Sequence, residues 1–357
     1  MLLEILVLLS CWFDFILLIM KRLLFFVFLF VFVIVSACSQ KQAENNESDR
    51  EEPVVVAYIT SWSSDTPDPT YITHFNYAFG HVNETFNGVR IDNEDRFRLV
   101  IGLKEEKPEL KVLLSIGGWT SGGFSEMAAD EVNRKAFAVD CQRVIMQYGL
   151  DGIDLNWEYP THDRSGITAS PDDTDNYSLL VRDIRKEIGN NKLLTMASDY
   201  TGDYFDFKTL EPLFNYVCIM NYDTGEPPYH NAGLYHSEHT QDLSVDESVD
   251  EHIRLGLPPH KLVLGIPFGG KGLRGVRFSN AHLQEGYTQE WDDVAKAAYL
   301  ADADGNFVHT YEEPRAIALK CAYLHSKGLL GAMYWSYSGD DTGILRKAVF
   351  DGVMENR

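Results

Sequence analysis

The segment DGIDLNWEYP, residues 151–160, places polar side chains at alternate positions of a stretch that otherwise has the character of a buried strand. Because side chains in a strand alternate between its two faces, Asp154, Asn156 and Glu158 share one face with Gly152. The apolar residues between them share the opposite face. A strand divided in this way predicts an apolar face packed under helices and a polar face that lines an interior space.

Eight apolar runs of this kind alternate with helix-like stretches along the chain. The predicted strands span residues 54–60, 72–79, 111–119, 152–159, 192–198, 216–223, 261–268 and 329–337. Amphipathic stretches over residues 137–148 and 177–188 predict helices that end at Gly149 and Gly189. Eight βα units predict an α/β fold, a (β/α)8 TIM barrel, with strand 152–159 contributing polar side chains to its lumen.

Residues 272–315, between predicted strands seven and eight, are too long for a simple loop and predict a short insertion. Within it, the segment AYLADADGNFVHTY predicts a small hairpin with a turn at Asp304 and Gly305.

The carboxylates of strand 152–159 are candidate catalytic groups. A salt-bridged structural strand is the plain alternative, but no Lys or Arg lies on this strand to neutralise them. TIM barrels place their active sites at the C-terminal rim, so Glu158 is expected nearest a substrate and Asp154 deeper. Asp151 has the opposite parity and is expected to be structural. A carboxyl close to a second carboxyl has a raised pKa, which suits a general acid near neutral pH.

A single acid at the rim, with no second carboxylate at working distance on the same strand, does not fit ordinary two-carboxylate glycoside hydrolysis. It fits the substrate-assisted exception. In that mechanism the 2-acetamido oxygen of the sugar attacks the anomeric carbon, and the enzyme supplies the acid.

The segment 151–160 resembles the DxxDxDxE signature of glycoside hydrolase family 18, the chitinases. Five further segments resemble other strands of that family, in the same order: AYITSW (57–62), THFNYAF (73–79), SIGGW (115–119), MNYD (220–223) and GAMYWSYSGDD (331–341). The resemblance extends from about residue 53 to 350. It implies a hydrolase that cleaves β-1,4 linkages of N-acetylglucosamine polymers with retention, without a cofactor.

The resemblance also implies roles for individual residues. It makes Glu158 the general acid and later the base, with Asp154 supporting it electrostatically from below. Asn156 stands at the third catalytic position of the motif, and Tyr222 is expected to donate a hydrogen bond to the acetamido carbonyl. The expected substrate-binding residues are Asp223, the platform Trp335, the cleft walls Tyr58 and Trp119, and also Met220 and Lys271.

Asn156 departs from the family pattern, which has Asp at this position. Asn can still accept the acetamido N–H through its carbonyl oxygen, but it cannot carry charge or pass a proton. We therefore expect Glu158 to lose part of what raises its pKa, and turnover to be weakened.

The seventh strand departs as well, since the family's PxYGR reads Pro267-Phe268-Gly269-Gly270-Lys271 here. Lys is a point charge and not a bidentate fork, which puts sugar binding near the cleavage point in doubt. The short insertion resembles only the tail of a larger family insertion, which predicts a more open groove.

The N-terminal residues predict export. Residues 20–38, MKRLLFFVFLFVFVIVSAC, have a basic start and an apolar run that ends in small residues, the layout of a signal peptide. Val35-Ser36-Ala37-Cys38 resembles a bacterial lipobox, so Cys38 is the expected lipidation site; an uncleaved anchor and an ordinary signal peptide are the alternatives. The apolar run 1–19 fits a signal poorly because it contains acidic residues, and Met20 is the expected start.

Residues 39–52 are polar and acidic and predict a flexible tether. Together with the lipobox they predict an exported lipoprotein at the cell envelope or cell surface, which meets the membrane only through its lipid. The folded part, residues 53–357, is expected to be a monomer.

Composition excludes some functions. The chain has 31 Lys and Arg against 53 Asp and Glu, a net charge of −22, which argues against nucleic acid as a partner. Cys141, Cys218 and Cys321 lie far apart without metal-ligand spacing, and they are expected to be buried core residues. No metal site is predicted.

Three functions remain open from the sequence. The first is a chitinase or related β-N-acetylglucosaminidase acting on chitin or chito-oligosaccharides. The second is a catalytically inactive chito-oligosaccharide-binding protein that keeps the cleft, and the third is a hydrolase of another glycan that contains N-acetylglucosamine. Retention of Glu158 favours a hydrolase over an inactive binder.

Overall fold

Eight parallel strands close into a barrel in the computed structural model, which describes residues 52–355 and the single position Trp12. With strands numbered in chain order, the barrel consists of β1 (Val54–Thr60), β2 (His74–Val82), β4 (Lys111–Gly117), β5 (Gly152–Asn156), β6 (Leu193–Ser198), β7 (Tyr216–Ile219), β8 (Leu262–Pro267) and β12 (Gly331–Trp335). Each strand pairs in parallel with its neighbours, and β1 pairs with both β12 and β2. The predicted (β/α)8 barrel is confirmed.

Helices follow the barrel strands around the outside. In the described part of the chain they are α1 (Glu94–Gly102), α2 (Phe124–Ala129), α3 (Glu131–Tyr148), α4 (Asp173–Ile188), α5 (Phe207–Leu210), α6 (Val245–Arg254), α7 (Phe278–Ala281), α8 (Pro314–Lys327) and α9 (Ile344–Met354). Short 3₁₀ turns span Leu103–Glu105, Glu211–Leu213, Pro259–Lys261 and Tyr337–Gly339.

The helix ends follow local capping rules. The side chain of Asp130 accepts a hydrogen bond from the backbone N–H of Asn133 at the start of α3 (2.9 Å). Gly149 ends the same helix in the left-handed conformation, with φ 66°. Gly189 caps the end of α4. Both predicted helix ends are therefore confirmed, and the apolar faces of both helices are buried against the barrel.

The insertion between β8 and β12 contains an antiparallel sheet of three strands. β10 (Ala297–Ala301) and β11 (Phe307–Tyr311) form the predicted hairpin, and the carboxylate of Asp302 accepts backbone N–H groups across its turn. The third strand, β9 (Thr288–Asp292), pairs with β10 and was not predicted. Its first three residues are exposed polar side chains, so it lacks the apolar alternation that reveals a strand.

A short strand, β3 (Val89–Ile91), also went unpredicted; it pairs antiparallel with the end of β2. It is only three residues long, and its side chains are partly or fully exposed, so hydrophobic periodicity carries no signal there.

A buried ion pair fastens the end of the insertion to α8. Lys320 of α8 is fully buried and bonds the carboxylate of Glu312, the residue after β11, which is 6% exposed. Burial raises the pKa of Glu312, and the ammonium of Lys320 opposes that rise. A buried carboxylate needs such a partner, so the pair holds the end of β11 against α8.

The three cysteines of the folded part are unpaired and buried, as predicted. Residues 52–355 contain no cluster of His, Cys, Asp and Glu suited to a metal ion. No described helix has the length and apolar character needed to cross a bilayer. The export segment with Cys38 and the tether lie outside the described residues, apart from Trp12 and Glu52.

Candidate active site

Asp154 lies in the centre of the barrel lumen and is fully buried. Three hydroxyl groups from three different strands donate hydrogen bonds to its carboxylate: Tyr58 of β1 (2.9 Å), Ser115 of β4 (2.7 Å) and Thr195 of β6 (2.6 Å). Burial raises the pKa of Asp154, and these hydrogen bonds oppose the rise. The three hydrogen bonds fix the orientation of the carboxyl group, and no Lys or Arg of the described residues pairs with it.

The opposite face of β5 is apolar, as the alternation predicts. Trp157, just after the strand, is 1% exposed and stacks on Phe124 of α2 at 5.3 Å between ring centroids. Tyr177 of α4 meets the same indole edge-on at 6.0 Å. Asp151 accepts the backbone N–H of Val112 and pairs with Lys104 at the strand start, which confirms its structural role.

Glu158 lies just beyond the C-terminal end of β5 and is partly buried. Burial and the negative charges of Asp223 and Asp199 raise the pKa of its carboxyl group, and hydrogen bonds from Asn156 and Tyr159 lower it, with a net rise to about 7. Within the described residues no cation pairs with it. Glu158 can therefore hold its proton near neutral pH, which is what a general acid requires.

Asn156 is 3% exposed, and the oxygen of its side-chain amide, Oδ1, has no hydrogen-bond partner among the described residues. Its backbone is held by the end of β4. The N–H of Gly118, the residue after that strand, donates to the backbone carbonyl oxygen of Asn156 (2.8 Å). A Cβ at Gly117 would lie 2.0 Å from that same oxygen, so only glycine permits the approach. The amide is thus rigidly placed with a buried acceptor open to a ligand.

Tyr222 and Asp223 follow β7 at the same rim. Tyr222 is 6% exposed, and burial together with the nearby charges of Asp223 and Glu158 raises the pKa of its phenol well above the usual range. It remains a neutral hydroxyl, and its only hydrogen-bond contact within the described residues is a weak one to the sulfur of Met333 (4.0 Å). Its O–H is therefore available as a donor.

Asp223 is exposed and takes the left-handed conformation, with φ 63°. The ammonium of Lys271 lies 2.7 Å from its carboxylate and 4.0 Å from that of Glu226. Lys271 is itself anchored to the insertion by reciprocal backbone hydrogen bonds with Thr310 of β11, both 3.0 Å. Lys271, which stands where the family pattern has Arg, thus pairs with Asp223, the acid that raises the pKa of Glu158.

Aromatic rings gather around Trp335 at the end of β12. Its ring is partly exposed and stacks against Phe79 (centroids 5.7 Å apart, planes at 19°). Tyr58 and Trp62 lie at 5.9 and 6.4 Å from it. Trp62 is 67% exposed and Trp335 is partly exposed, so these two rings present apolar surface at the rim, whereas Tyr58 and Phe79 are buried.

The structure corrects one predicted role. Tyr58 was expected to form a wall of the cleft, but it is 2% exposed and its hydroxyl is directed at Asp154. It supports the buried carboxyl group from below. Trp119 follows β4 and is 55% exposed, and its role as a wall of the cleft stays a prediction. Met220 is partly exposed and packs against the core after β7, and its contribution to binding stays a prediction.

Several residues at this rim were missed from the sequence. Asp199 directly follows β6, and an acid just after a buried strand was a signal that could have revealed it. Tyr159 stacks flat on Tyr204, with centroids 4.9 Å apart. Trp62 falls within the first-strand motif, two residues after the end of β1, but was given no role. Loop residues such as Tyr204 carry no periodic signal.

The site thus combines a protonated carboxyl group, a neutral phenol and an unpartnered amide oxygen beside an aromatic surface. A protonated carboxyl group can deliver a proton to a leaving oxygen, and the amide and phenol can orient a group that offers one donor and one acceptor. A flat aromatic surface suits the apolar face of a sugar ring.

Comparison with known proteins gives an independent view of the chain. The model of glycosyl hydrolases family 18 matches residues 54–340. Chitinase A1 of Niallia circulans is 28% identical over 393 residues, which cover 80% of this chain and 56% of that protein. Probable chitinase 2 of Drosophila melanogaster is 30% identical and covers 81% of this chain and 72% of that protein.

A solved structure with the same architecture is that of a glycoside hydrolase family 18 N-acetylglucosaminidase from Paenibacillus barengoltzii. It superposes with a TM-score of 0.77 at 32% identity, over 84% of this chain and all of that chain. By contrast, this chain spans little more than half the length of Chitinase A1.

The raised pKa of Glu158 predicts a pH-dependent loss of stability. The stabilisation from its protonated form is complete below the ordinary pKa of 4.5 and is lost as pH rises through about 7. We expect Glu158→Gln to escape this loss, so that between pH 4.5 and pH 8 it gains up to about 3 kcal/mol in free energy of unfolding relative to wild type. Urea unfolding at both pH values measures the gain.

The matched control is Glu105→Gln, which makes the same change at an exposed glutamate. It should follow the wild-type dependence. A parallel pH dependence for wild type and Glu158→Gln would contradict the raised pKa.

Proposed function

Because this chain belongs to glycosyl hydrolase family 18, as the match over residues 54–340 shows, we propose that it hydrolyses β-1,4 linkages of N-acetylglucosamine polymers. The substrate class proposed is chitin or chito-oligosaccharides. The single observation that carries the proposal is the carboxyl group of Glu158, raised to a pKa of about 7 beside the unpartnered amide oxygen of Asn156.

In the proposed first step, Glu158 donates its proton to the departing glycosidic oxygen. The acetamido oxygen of the substrate forms a bond to the anomeric carbon as the glycosidic bond breaks, which gives an oxazolinium-like cation. Tyr222 donates a hydrogen bond to the acetamido carbonyl group, and the oxygen of Asn156 accepts the acetamido N–H. Both groups are buried and uncharged, so they can orient the nucleophile before the bond forms.

In the second step, Glu158 is a carboxylate and acts as the base. It takes a proton from a water molecule that attacks the anomeric carbon, the bond to the acetamido oxygen breaks, and the configuration is retained. Asp154 stabilises the positive charge from below, held by its three hydroxyl donors. Trp335 provides the surface for the reacting sugar, and Asp223, paired with Lys271, faces it from β7.

The proposed function predicts that Glu158→Gln abolishes turnover and keeps binding. Loss of a general acid is worth about 10²–10⁴-fold in rate. A fluorogenic chitobioside measures kcat/KM, and calorimetry with a chito-oligosaccharide measures binding. Glu105→Gln should retain full activity. If wild type shows no turnover above Glu158→Gln between pH 4 and pH 8 while both bind the sugar, the protein is an oligosaccharide-binding protein instead.

A mixture of acetylated oligosaccharides and other N-acetylglucosamine-containing glycans, read by mass spectrometry, separates chitin-type substrates from the remaining alternative. Cleavage of the other glycans with no cleavage of chito-oligosaccharides would replace the proposed substrate class.

Asn156→Asp tests how much the missing charge matters. A carboxylate at position 156 adds negative charge beside Glu158 and beside the cationic intermediate, so we expect kcat to rise about tenfold or the basic limb of the pH–rate profile to move to higher pH by about one unit. The measurement is kcat and kcat/KM against pH for both proteins. A profile identical to wild type would show that charge at this position does not control the reaction.

We also propose that the protein is an exported bacterial lipoprotein anchored through Cys38. The support is the basic start, apolar run and lipobox-like end of residues 20–38, followed by the acidic tether. Labelling of the full chain with a radioactive fatty acid in a bacterial host should mark the wild type and not Cys38→Ser. Equal labelling of both would exclude Cys38 as the anchor.

A further inference from the structure

Asp199 lies beside Glu158 at the end of the neighbouring strand. Asp154 of β5 is in register with Thr195 of β6, and their side chains are joined by a hydrogen bond of 2.6 Å in the lumen. Glu158 follows two residues after the end of β5, and Asp199 directly follows β6. The two acids therefore follow adjacent paired strands at the C-terminal rim, where the charge of Asp199 acts on Glu158.

The carboxylate of Asp199 is held in place by its own turn. It accepts hydrogen bonds from the backbone N–H groups of Thr201 and Gly202, both 3.0 Å, and from the hydroxyl of Thr201. Asp199 is 4% exposed, and within the described residues no Lys or Arg pairs with it. The three donors satisfy a carboxylate while leaving its negative charge without a neutralising cation.

The histidine behind Asp199 does not neutralise it either. His252 of α6 is fully buried, and its two ring nitrogens bond the hydroxyl of Ser198 (2.9 Å) and the carbonyl oxygen of Ser248 (2.7 Å). Burial lowers the pKa of His252, so the ring is neutral at neutral pH. His252 therefore supplies no positive charge beside Asp199 at neutral pH.

The other groups that face Glu158 differ from Asp199. On its own strand end, Asn156 and Tyr159 are neutral. From β7, Tyr222 is neutral and Asp223 is charged, and Asp223 raises the pKa of Glu158 more than Asp199 does. Asp223, however, is 64% exposed and its charge is matched by Lys271 at 2.7 Å. A buried, unpaired carboxylate acts through less solvent screening than an exposed, paired one.

We propose that Asp199 is a positioning residue that supplies, from the neighbouring strand, the negative charge beside Glu158 that Asn156 cannot carry. The proposal rests on the proposed function and deepens it. In the free protein the charge holds the proton on Glu158, and after the first step it faces the cationic intermediate. Burial and the charge of Glu158 raise the pKa of Tyr159, and the charge of Asp199 adds to that rise.

Asp199→Asn tests the proposal. The amide keeps one acceptor for the turn and removes the charge, so Glu158 ionises more easily and the basic limb of kcat/KM moves to lower pH by about half a unit or more. Asp203→Asn is the matched control, since it removes an exposed acid from the same loop, and its limb should stay at the wild-type pH. Asp199→Glu keeps the charge and should stay within about 0.2 unit of wild type.

A second variant separates charge from turn structure. In the double variant Asn156→Asp/Asp199→Asn a carboxylate is restored on β5, so the limb should return toward or above the wild-type pH. The proposal would be overturned if the basic limb of kcat/KM in Asp199→Asn lay at the same pH as in the Asp203→Asn control. It would also be overturned if the double variant did not reverse the shift of that limb. A shift in Asp199→Glu equal to that in Asp199→Asn would overturn it as well.

The titration of Glu158 can be followed without turnover by ¹³C NMR of glutamate carboxyl groups, with its signal assigned by its absence in Glu158→Gln. A lower titration midpoint in Asp199→Asn supports the proposal even if no substrate is hydrolysed, and an unchanged midpoint overturns it. Absence of turnover in wild type and all variants, with the midpoint shifted, would refute the proposed hydrolysis and leave the electrostatic role of Asp199 standing.

Discussion

An acid that must hold a proton at neutral pH cannot be placed beside a free cation, and this constraint organises the whole barrel mouth. Glu158 is surrounded by neutral hydroxyl and amide groups and by other carboxylates. Lys271, at the same rim, is paired with Asp223. Burial and neighbouring negative charges therefore both raise the pKa of Glu158. The packing of the strands beneath it offsets the loss of stability that this arrangement causes.

The support for this arrangement is built into barrel closure. Asp154 receives its three hydrogen bonds from β1, β4 and β6, so the lumen below the reactive acid is tied together across the barrel. The close approach of β4 to β5 at Gly117 fixes the backbone of Asn156. Because these contacts join strands that are distant in the sequence, the geometry of the site depends on the closed fold and not on any one segment.

The sequence predicted the barrel well because eight apolar runs with turn signals between them carry a periodic pattern. Strand alternation also placed Asp154 and Asn156 on one face of β5, whereas Glu158, predicted to lie on the same strand, follows two residues after its end. The sequence did not predict β9 and β3, because their side chains are mostly exposed and show no hydrophobic alternation. Tyr58 was misplaced because its motif position gives no information on whether a ring faces the cleft or the lumen, a choice made by the hydrogen bond to Asp154.

Asp199 shows a different limit. Its position after β6 marked it as a rim residue, but its closeness to Glu158 depends on the register between β5 and β6, which only the folded structure provides. The pairing of Lys271 with Asp223 could not be predicted from the sequence either, because the two residues are 48 positions apart and meet only in the folded barrel.

The backbone bridge between Lys271 and Thr310 gives the insertion an influence beyond its shape. β11 supports the lysine that neutralises Asp223, and the buried pair of Lys320 and Glu312 secures the end of β11 in turn. Replacing this insertion with a longer one from a relative would therefore also replace the contacts that hold Lys271 beside Asp223. Remodelling the wall of the groove and retuning its acid chemistry are, in this protein, one and the same operation.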